Sequence, residues 1–274
     1  MAEVASATVG SVLADARRRL EAAGCDTPRL DAELLLAEML GVDRARLVID
    51  RDRSLEGSAV DRFGALEARR EAREPVAYIL RRRDFRRLTL HVDPRVLIPR
   101  PETELLVELG LTLAPAADVV DVGTGSGAVA LALKDERPDL RVRGTDISED
   151  ALAVARENGS RLGLEVEFAA ADLLDGRPAD AVLANLPYVA EGAELPPEIA
   201  RYEPAGALFA GADGLDVVRR LISAVDPRAV RMLGLEIGPE QAWPVARLVQ
   251  DAGFGAVDIL RDLAGSERVV VGTP

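Results

Sequence analysis

The segment Asp121-Val122-Gly123-Thr124-Gly125-Ser126-Gly127 constrains this chain more than any other. It follows an apolar run, Ala117 to Val122, that reads as a strand, and leads into Gly127 to Lys134, which reads as a helix. Glycines at this spacing permit positive φ angles in a tight turn and let a ligand approach the backbone. The free amides and dipole at the start of the following helix favour a ligand's negative groups. Gly123, Gly125 and Ala128 also satisfy the pattern G-x-G-x-x-[GA], and Asp146 ends the next strand, Arg141 to Asp146, where an acid can hydrogen-bond a ribose. A nucleotide-type cofactor is expected here, with NAD and S-adenosylmethionine fitting equally well.

Strand and helix keep alternating beyond this loop. Glu149 to Leu162 reads as a helix capped by Ser148, followed by strands near Val166 to Ala169 and Ala181 to Asn185. Strands at Arg231 to Ile237, Ala256 to Ile259 and Arg268 to Val271 then surround a helix from Glu240 to Ala252. Such alternation predicts an α/β fold with a mostly parallel sheet covered by helices on both faces. The first eighty or so residues differ, carrying helical signals only. Val12, Leu13, Ala16 and Leu20 form one stripe ending at Gly24. Thr27 stands as a cap with Pro28 at the first helical position, and Leu30, Leu34, Leu35 and Leu40 supply an apolar face before Gly41. Asp43 caps a third helix and Leu55 to Arg73 supply a fourth, giving a small helical bundle. Between the two regions, Asp84 to Ile98 alternates in short segments, with Phe85, Leu88, Leu90 and Val92 apolar and Asp93-Pro94 as a turn, which predicts a β-hairpin linker.

Composition removes several classes of function. The single cysteine, Cys25, has no internal partner, no charged start followed by an apolar stretch marks a secretory signal, and no run approaches a membrane span, so a reduced, cytoplasmic protein is expected. A net charge of -13 argues against a general nucleic-acid coat. One local exception is the set Arg69, Arg70, Arg73, Arg81, Arg82, Arg83, Arg86 and Arg87, which reads either as a solvated face or as a patch for RNA or an acidic partner. The only histidine, His91, reads as structural, as do Cys25 and Trp243, and no residue stands out as a metal ligand.

A second signal lies at the end of the strand Ala181 to Asn185, where Asn185-Leu186-Pro187-Tyr188 places an amide, a fixed turn and an aromatic ring. An Asn carbonyl oxygen beside a free backbone carbonyl can accept both hydrogens of a planar NH2 group. A dehydrogenase has no use for such a clamp, whereas methyl transfer to nitrogen needs one. The glycine loop with Asp121 resembles motif I of the class I S-adenosylmethionine-dependent methyltransferases, and Asn185 to Tyr188 resembles the N-P-P-Y motif of those that methylate planar nitrogens. Pro75-Val76-Ala77-Tyr78-Ile79, the run Leu97-Ile98-Pro99-Arg100-Pro101-Glu102-Thr103-Glu104 and Leu235-Glu236-Ile237-Gly238 extend the likeness. Together they resemble the PrmC/HemK family, the protein-(glutamine-N5) methyltransferases of peptide chain release factors.

The resemblance implies a class I methyltransferase Rossmann-like fold, with a helical substrate-docking domain over 1–82, a hairpin linker over 83–98 and the S-adenosyl-L-methionine-dependent domain over 99–274. It implies that the substrate is the glutamine of the Gly-Gly-Gln motif in class-1 release factors. Gly123, Thr124, Gly125, Ser126 and Gly127 would surround the cofactor's methionine part, Asp146 would take the ribose, and Asp172 and Leu173 would lie near the adenine. Asn185 would touch cofactor and substrate, with Asn185, Pro187 and Tyr188 as the catalytic set and Leu186 completing the substrate clamp. Arg100 and Glu102 would brace the site or form an ion pair at the domain junction. The family usually has proline where this chain has Leu186, and N-L-P-Y is also the form found in rRNA adenine dimethyltransferases. An adenine N6 methyltransferase acting on rRNA or DNA is therefore the alternative, although those enzymes carry their helical domain after the Rossmann-like half rather than before it. A third reading is an adaptor that binds the cofactor without turning over.

Overall fold

A computed structural model describes residues 7–274, which group into two compact units. The first comprises the described residues up to Arg81 together with Pro196–Tyr202. Its helices are α1 (Val9–Ala22), α2 (Pro28–Leu40), α3 (Arg44–Ile49), α4 (Gly57–Glu71) and α5 (Val76–Leu80), joined by Pro197–Tyr202, α9 in chain order. Thr8 opens α1 with a capping box, its hydroxyl accepting from the Ser11 amide at 3.2 Å while the Ser11 hydroxyl accepts from the Thr8 amide at 2.9 Å. Val9, Val12, Ala16 and Leu20 then bury one face at helical spacing.

The face of α2 differs from the sequence expectation. Leu35 is buried as expected, but the buried set is Asp31, Ala32, Leu35, Leu36 and Ala37, and Leu30 is exposed. An ion pair turns the helix this way: Arg70 of α4 reaches Asp31 with Nε···Oδ2 at 2.7 Å, both side chains nearly sealed from water. Thr27 does precede the helix, yet its hydroxyl donates to Asp31 Oδ1 at 2.8 Å instead of capping an amide. Arg70 also meets Glu198 of α9 at 2.9 Å, and Arg73 binds the same carboxylate through Nε at 2.6 Å and through a second nitrogen at 2.7 Å. Burial works against the Glu198 charge, but Arg73 and Arg70 hold the carboxyl down to about 2.

The second unit covers Arg82–Leu195 and Glu203–Pro274. It opens with β1 (Arg83–Phe85) and β2 (Leu88–Leu90), an antiparallel pair that turns at Arg86, whose φ is 54°. This hairpin is shorter than expected, and Phe85, Leu88 and Leu90 sit in the same apolar cluster as the sheet's Val119 and Leu183. Asp93 does make a turn, accepting the Val96 amide at 3.1 Å on its carbonyl. After α6 (Glu104–Leu111) come β3 (Asp118–Val122), α7 (Ala128–Glu136), β4 (Arg141–Asp146), α8 (Glu149–Leu162), β5 (Glu167–Ala170) and β6 (Ala181–Ala184). The chain continues through α10 (Asp216–Ala224), β7 (Met232–Glu236), α11 (Ala242–Asp251), β8 (Ala256–Arg261) and β9 (Glu267–Thr273).

Among the described residues the large sheet has seven strands in the order β5-β4-β3-β6-β7-β9-β8. The first five are parallel, while β9 pairs antiparallel with both β7 and β8. This is the doubly wound, mostly parallel sheet that the alternation of strand and helix predicts. Period-2 alternation sends Val119 to one apolar cluster and Val120 and Val122 to the other, so β3 is packed on both faces, as a central parallel strand requires. Strand order reverses between β3 and β6, and a sheet of this kind binds ligands outside the carboxyl ends at that reversal. No helix of the described residues is long and apolar enough to cross a membrane.

Glu198 holds two arginines of the helical unit at once, one of them buried. Replacing it leaves Arg70 half-compensated, and breaking a buried pair of this kind costs several kcal/mol. Glu198→Ala is expected to lower unfolding stability by about 2–3 kcal/mol and to raise amide hydrogen exchange in Pro197–Tyr202 first. Unchanged exchange there would show that these contacts do not hold α9.

Candidate active site

The loop after β3 is built around three left-handed residues, Gly123, Gly125 and Gly127, with φ of 71°, 55° and 82°. A Cβ at Gly127 would press on Leu131, Phe168 and Ala155 at 3.0–3.3 Å, so close packing as well as backbone angle demands glycine there. The Gly123 and Thr124 amides both donate to the Thr145 carbonyl, at 2.8 and 2.9 Å, tying the loop to β4. Asp121 lies below the loop, fully buried, and its Oδ2 accepts from the Thr124 hydroxyl at 2.6 Å and the Ala130 amide at 3.2 Å. Desolvation pushes its carboxyl up to about 6 despite those two bonds, and the nearby Asp146 charge acts in the same direction.

Asp146 ends β4 with one carboxylate oxygen on the Gly125 amide and the other on the Ser148 amide, both at 2.9 Å. Ser148 in turn caps α8 by accepting from Ala151. Asn158 of α8 anchors the loop from behind, donating to the carbonyls of Ser126 and His91 at 3.0 Å each and accepting the His91 amide at 2.7 Å. The His91 ring contacts Asp93 at 3.2 Å, a structural placement.

Asn185 stands at the end of β6, directly beside the glycine loop because Val122 pairs with Ala184 across the parallel ladder. Its Nδ2 donates to the Thr103 hydroxyl oxygen at 3.0 Å, which turns the amide oxygen the other way. The Leu186 side chain points into the sheet's core, 5% exposed, and its carbonyl has no hydrogen-bond partner among the described residues. Tyr188 is largely buried, which raises its phenol above the ordinary value, with the Glu236 charge adding to the effect. Its carbonyl accepts from Gln241 Nε2 at 2.9 Å, and Gln241 Oε1 takes the Gly238 amide at 2.9 Å, so the turn after β7 fixes the turn after β6.

These groups share a cavity of ≈ 350 Å³. Of the residues singled out from the sequence, Gly123, Thr124, Gly125, Ser126, Asp146, Asp172, Leu173, Asn185, Leu186 and Pro187 line it, whereas Gly127 and Tyr188 stand behind the lining. Leu173 adopts φ of 73°, and its carbonyl accepts the Thr145 hydroxyl at 2.7 Å, while Asp172 pairs with Arg220 of α10. Arg100 and Glu102 do not pair with each other: Arg100 binds the buried Glu203, and Glu102 lies 3.9 Å from Arg268. The sequence reading missed Thr103, Val217, Arg220 and Gln241, because α6 and α10 carried no recognised start or stop signal and a lone Thr or Gln announces nothing by itself.

The chain matches two family models, the PrmC N-terminal domain over residues 11–80 and the methyltransferase small domain over residues 101–201. Among curated proteins it is 39% identical to the release factor glutamine methyltransferase of Koribacter versatilis, over 97% of this chain and 98% of that one. It is 43% identical to the protein of the same name from Mycolicibacterium smegmatis, over 93% of each. Among solved structures, the hMettl16 catalytic domain in complex with MAT2A 3'UTR hairpin 6 superposes with a TM-score of 0.57 at 17% identity, over 76% of this chain and 81% of that one, a likeness of fold.

The buried carboxyl at Asp121 yields a test in the protein alone. Its value lies above the ordinary carboxylate value of about 4, so the folded chain keeps this proton longer than the unfolded chain does. The stability it contributes is complete below about pH 4 and is lost as pH rises through about 6, a change of about 3 kcal/mol. Asp121→Asn keeps an oxygen for Thr124 and Ala130, and its thermal unfolding should lose much less stability than the wild type between those two values. Parallel pH profiles for the two proteins would contradict the assignment.

Proposed function

We propose, because this chain belongs to the release factor glutamine methyltransferase family, that it methylates the side-chain amide nitrogen of the glutamine in the Gly-Gly-Gln motif of class-1 peptide chain release factors. The methyl donor is S-adenosyl-L-methionine, which supplies a methyl group already activated on a sulfonium. The cavity suits it in shape and chemistry. Three left-handed glycines give backbone room on one side, Asp146 offers carboxylate oxygens for ribose hydroxyls, and Ala171, Leu173 and Val217 provide an apolar slot for a base. Gly123 to Gly127 would hold the methionine part, Asp172 and Leu173 the adenine.

The orientation of Asn185 is the observation that carries the reading. With Nδ2 committed to Thr103, Asn185 Oδ1 is available to accept from an NH2 group, and the unpartnered Leu186 carbonyl supplies the second acceptor. Two acceptors and no donor select a group with two hydrogens to give, as a primary amide has. A glutamine amide is a poor nucleophile because its lone pair is delocalised into its carbonyl. Placing that nitrogen against the methyl group can supply roughly 7–11 kcal/mol of the barrier, so these residues contribute position rather than base strength. Pro187 holds the turn, and Tyr188, anchored through Gln241, supports it from outside the cavity lining. Once alkylated, the nitrogen releases one of its protons to water, since neither carbonyl acceptor is a base.

Docking of the release factor falls to the helical unit, where α3 leaves Val48 and Ile49 exposed. Two features drew attention to a nucleic-acid substrate, and neither favours one. Leu186 is a core side chain, and Arg69, Arg70, Arg73 and Arg86 are each engaged by carboxylates. Incubation with methyl-labelled cofactor is expected to label purified release factor and not rRNA. Asn185→Ala should reduce that transfer at least 100-fold while changing cofactor affinity little, and near-normal turnover in this variant would remove Asn185 from its role.

A further inference from the structure

Asn185 can hold an acceptor NH2 only with its own oxygen turned to the cavity. A carboxamide has almost the same shape in its two orientations, so a neighbour has to choose between them. The choosing contact is made at the edge of the cavity, by a side chain that is itself almost sealed from water. Asn185 Nδ2 donates to Thr103 Oγ1, and Thr103 is 4% exposed, out of reach of solvent partners. A hydroxyl has one proton to give, and the Thr103 hydroxyl lies near enough to the carboxylate of Glu236 to favour its charged form. Glu236 is 2% exposed at the carboxyl end of β7, the strand beside β6, with Ala184 and Leu235 paired just before Asn185 and Glu236. Its Oε2 has no hydrogen-bond partner.

We propose that Thr103 and Glu236 are positioning residues for methyl transfer: Glu236 takes the Thr103 proton, Thr103 is left able only to accept from Asn185, and the Asn185 oxygen therefore faces the acceptor. The identity of the acceptor rests on the function proposed above, whereas the orientation of Asn185 does not. The charged and titratable groups around Glu236 are Glu102, Arg100, Arg268 and Tyr188. Burial pushes Glu236 up to about 7, Thr103 works against this, Glu102 adds to it, and Arg268 and Arg100 oppose it. Tyr188 is raised from its ordinary value near 10 and stays neutral in this range. Below neutrality Glu236 carries its own proton and can donate to Thr103, which frees the Thr103 hydroxyl to point at Asn185 Oδ1. The flipped amide then presents donors to a donor. Transfer should accordingly rise with pH through neutrality.

The test uses the full chain as wild type, Glu236→Gln, Thr103→Val and Thr103→Ser. Two readouts are followed against pH: the side-chain 15N resonance of Asn185 without substrate, and single-turnover transfer to release factor, with cofactor affinity measured alongside. In the wild type the resonance should shift through about pH 7 and transfer should rise about 10-fold. Glu236→Gln should remove the step from both readouts, which separates it from the titration of Asp121. Thr103→Val should lower transfer at least ~10-fold with cofactor affinity unchanged, and Thr103→Ser should restore rate and step. A step that survives in Glu236→Gln, or wild-type transfer by Thr103→Val, overturns the inference. If the wild type binds cofactor and labels no release factor, the proposed function has failed, and the Asn185 resonance alone still decides: a signal indifferent to both neighbours overturns the relay.

Discussion

The parallel pairing of β3 with β6 is the constraint on which the rest of this site depends. It places Val122 opposite Ala184, so the glycine loop and Asn185 leave the sheet side by side at the point where strand order reverses. A one-residue slip would turn every side chain of β6 to the other face. Val182 and Ala184 share a core cluster with Val120 and Val122, while Leu183 packs with Val119 on the opposite side, so the slip would cost both cores at once. Precision at the cavity is thus inherited from packing several residues away. The next neighbour, β7, adds Glu236 and Gln241 by the same means, since Ala184 also pairs with Leu235.

Charge is distributed by depth. Of the eight arginines from Arg69 to Arg87, Arg69, Arg70, Arg73 and Arg86 are spent on carboxylates, Arg86 engaging both Glu136 and Glu108. The carboxylates beneath the cavity have no such partner. Asp121 is satisfied by a hydroxyl and an amide, Glu236 leaves Oε2 without a partner, and burial raises both toward neutrality. Acids kept near their protonation point below a site serve as hydrogen-bond organisers, since a permanent charge there would meet a large desolvation cost.

The sequence disclosed what backbone chemistry writes locally. Glycines at 123, 125 and 127, the acid at 146, the cap at Ser148 and the apolar strands all announce themselves, because few other residues tolerate those angles or that burial. Side-chain partnerships across the fold were less legible. The buried face of α2 was misjudged because four leucines outvote one aspartate until Arg70 is known to face it. Thr103 lay inside a run that drew attention for its charges, yet Arg100 and Glu102 are directed at Glu203 and Arg268, and the uncharged residue between Glu102 and Glu104 reaches the cavity. Gln241, in the loop before α11, meets Tyr188 only because β6 and β7 are adjacent. Contacts of that kind depend on strand order, which no local pattern specifies.

Leu186 shows how the two kinds of information separate at one position. Its side chain belongs to the core beneath β6, within 3.0 Å of where a Cβ on Gly123 would lie, and its identity answers to that packing. Its carbonyl belongs to the cavity and is the same in any residue. Pro187 biases the residue before it toward an extended backbone, so the direction of that carbonyl is set from position 187. A leucine or a proline at 186 therefore presents the same acceptor, and the residue type there reports on the fit of the sheet to the glycine loop. Discrimination among NH2-bearing substrates has to come from groups that differ in what they offer, which at this cavity means the orientation of the Asn185 amide and the residues that hold it.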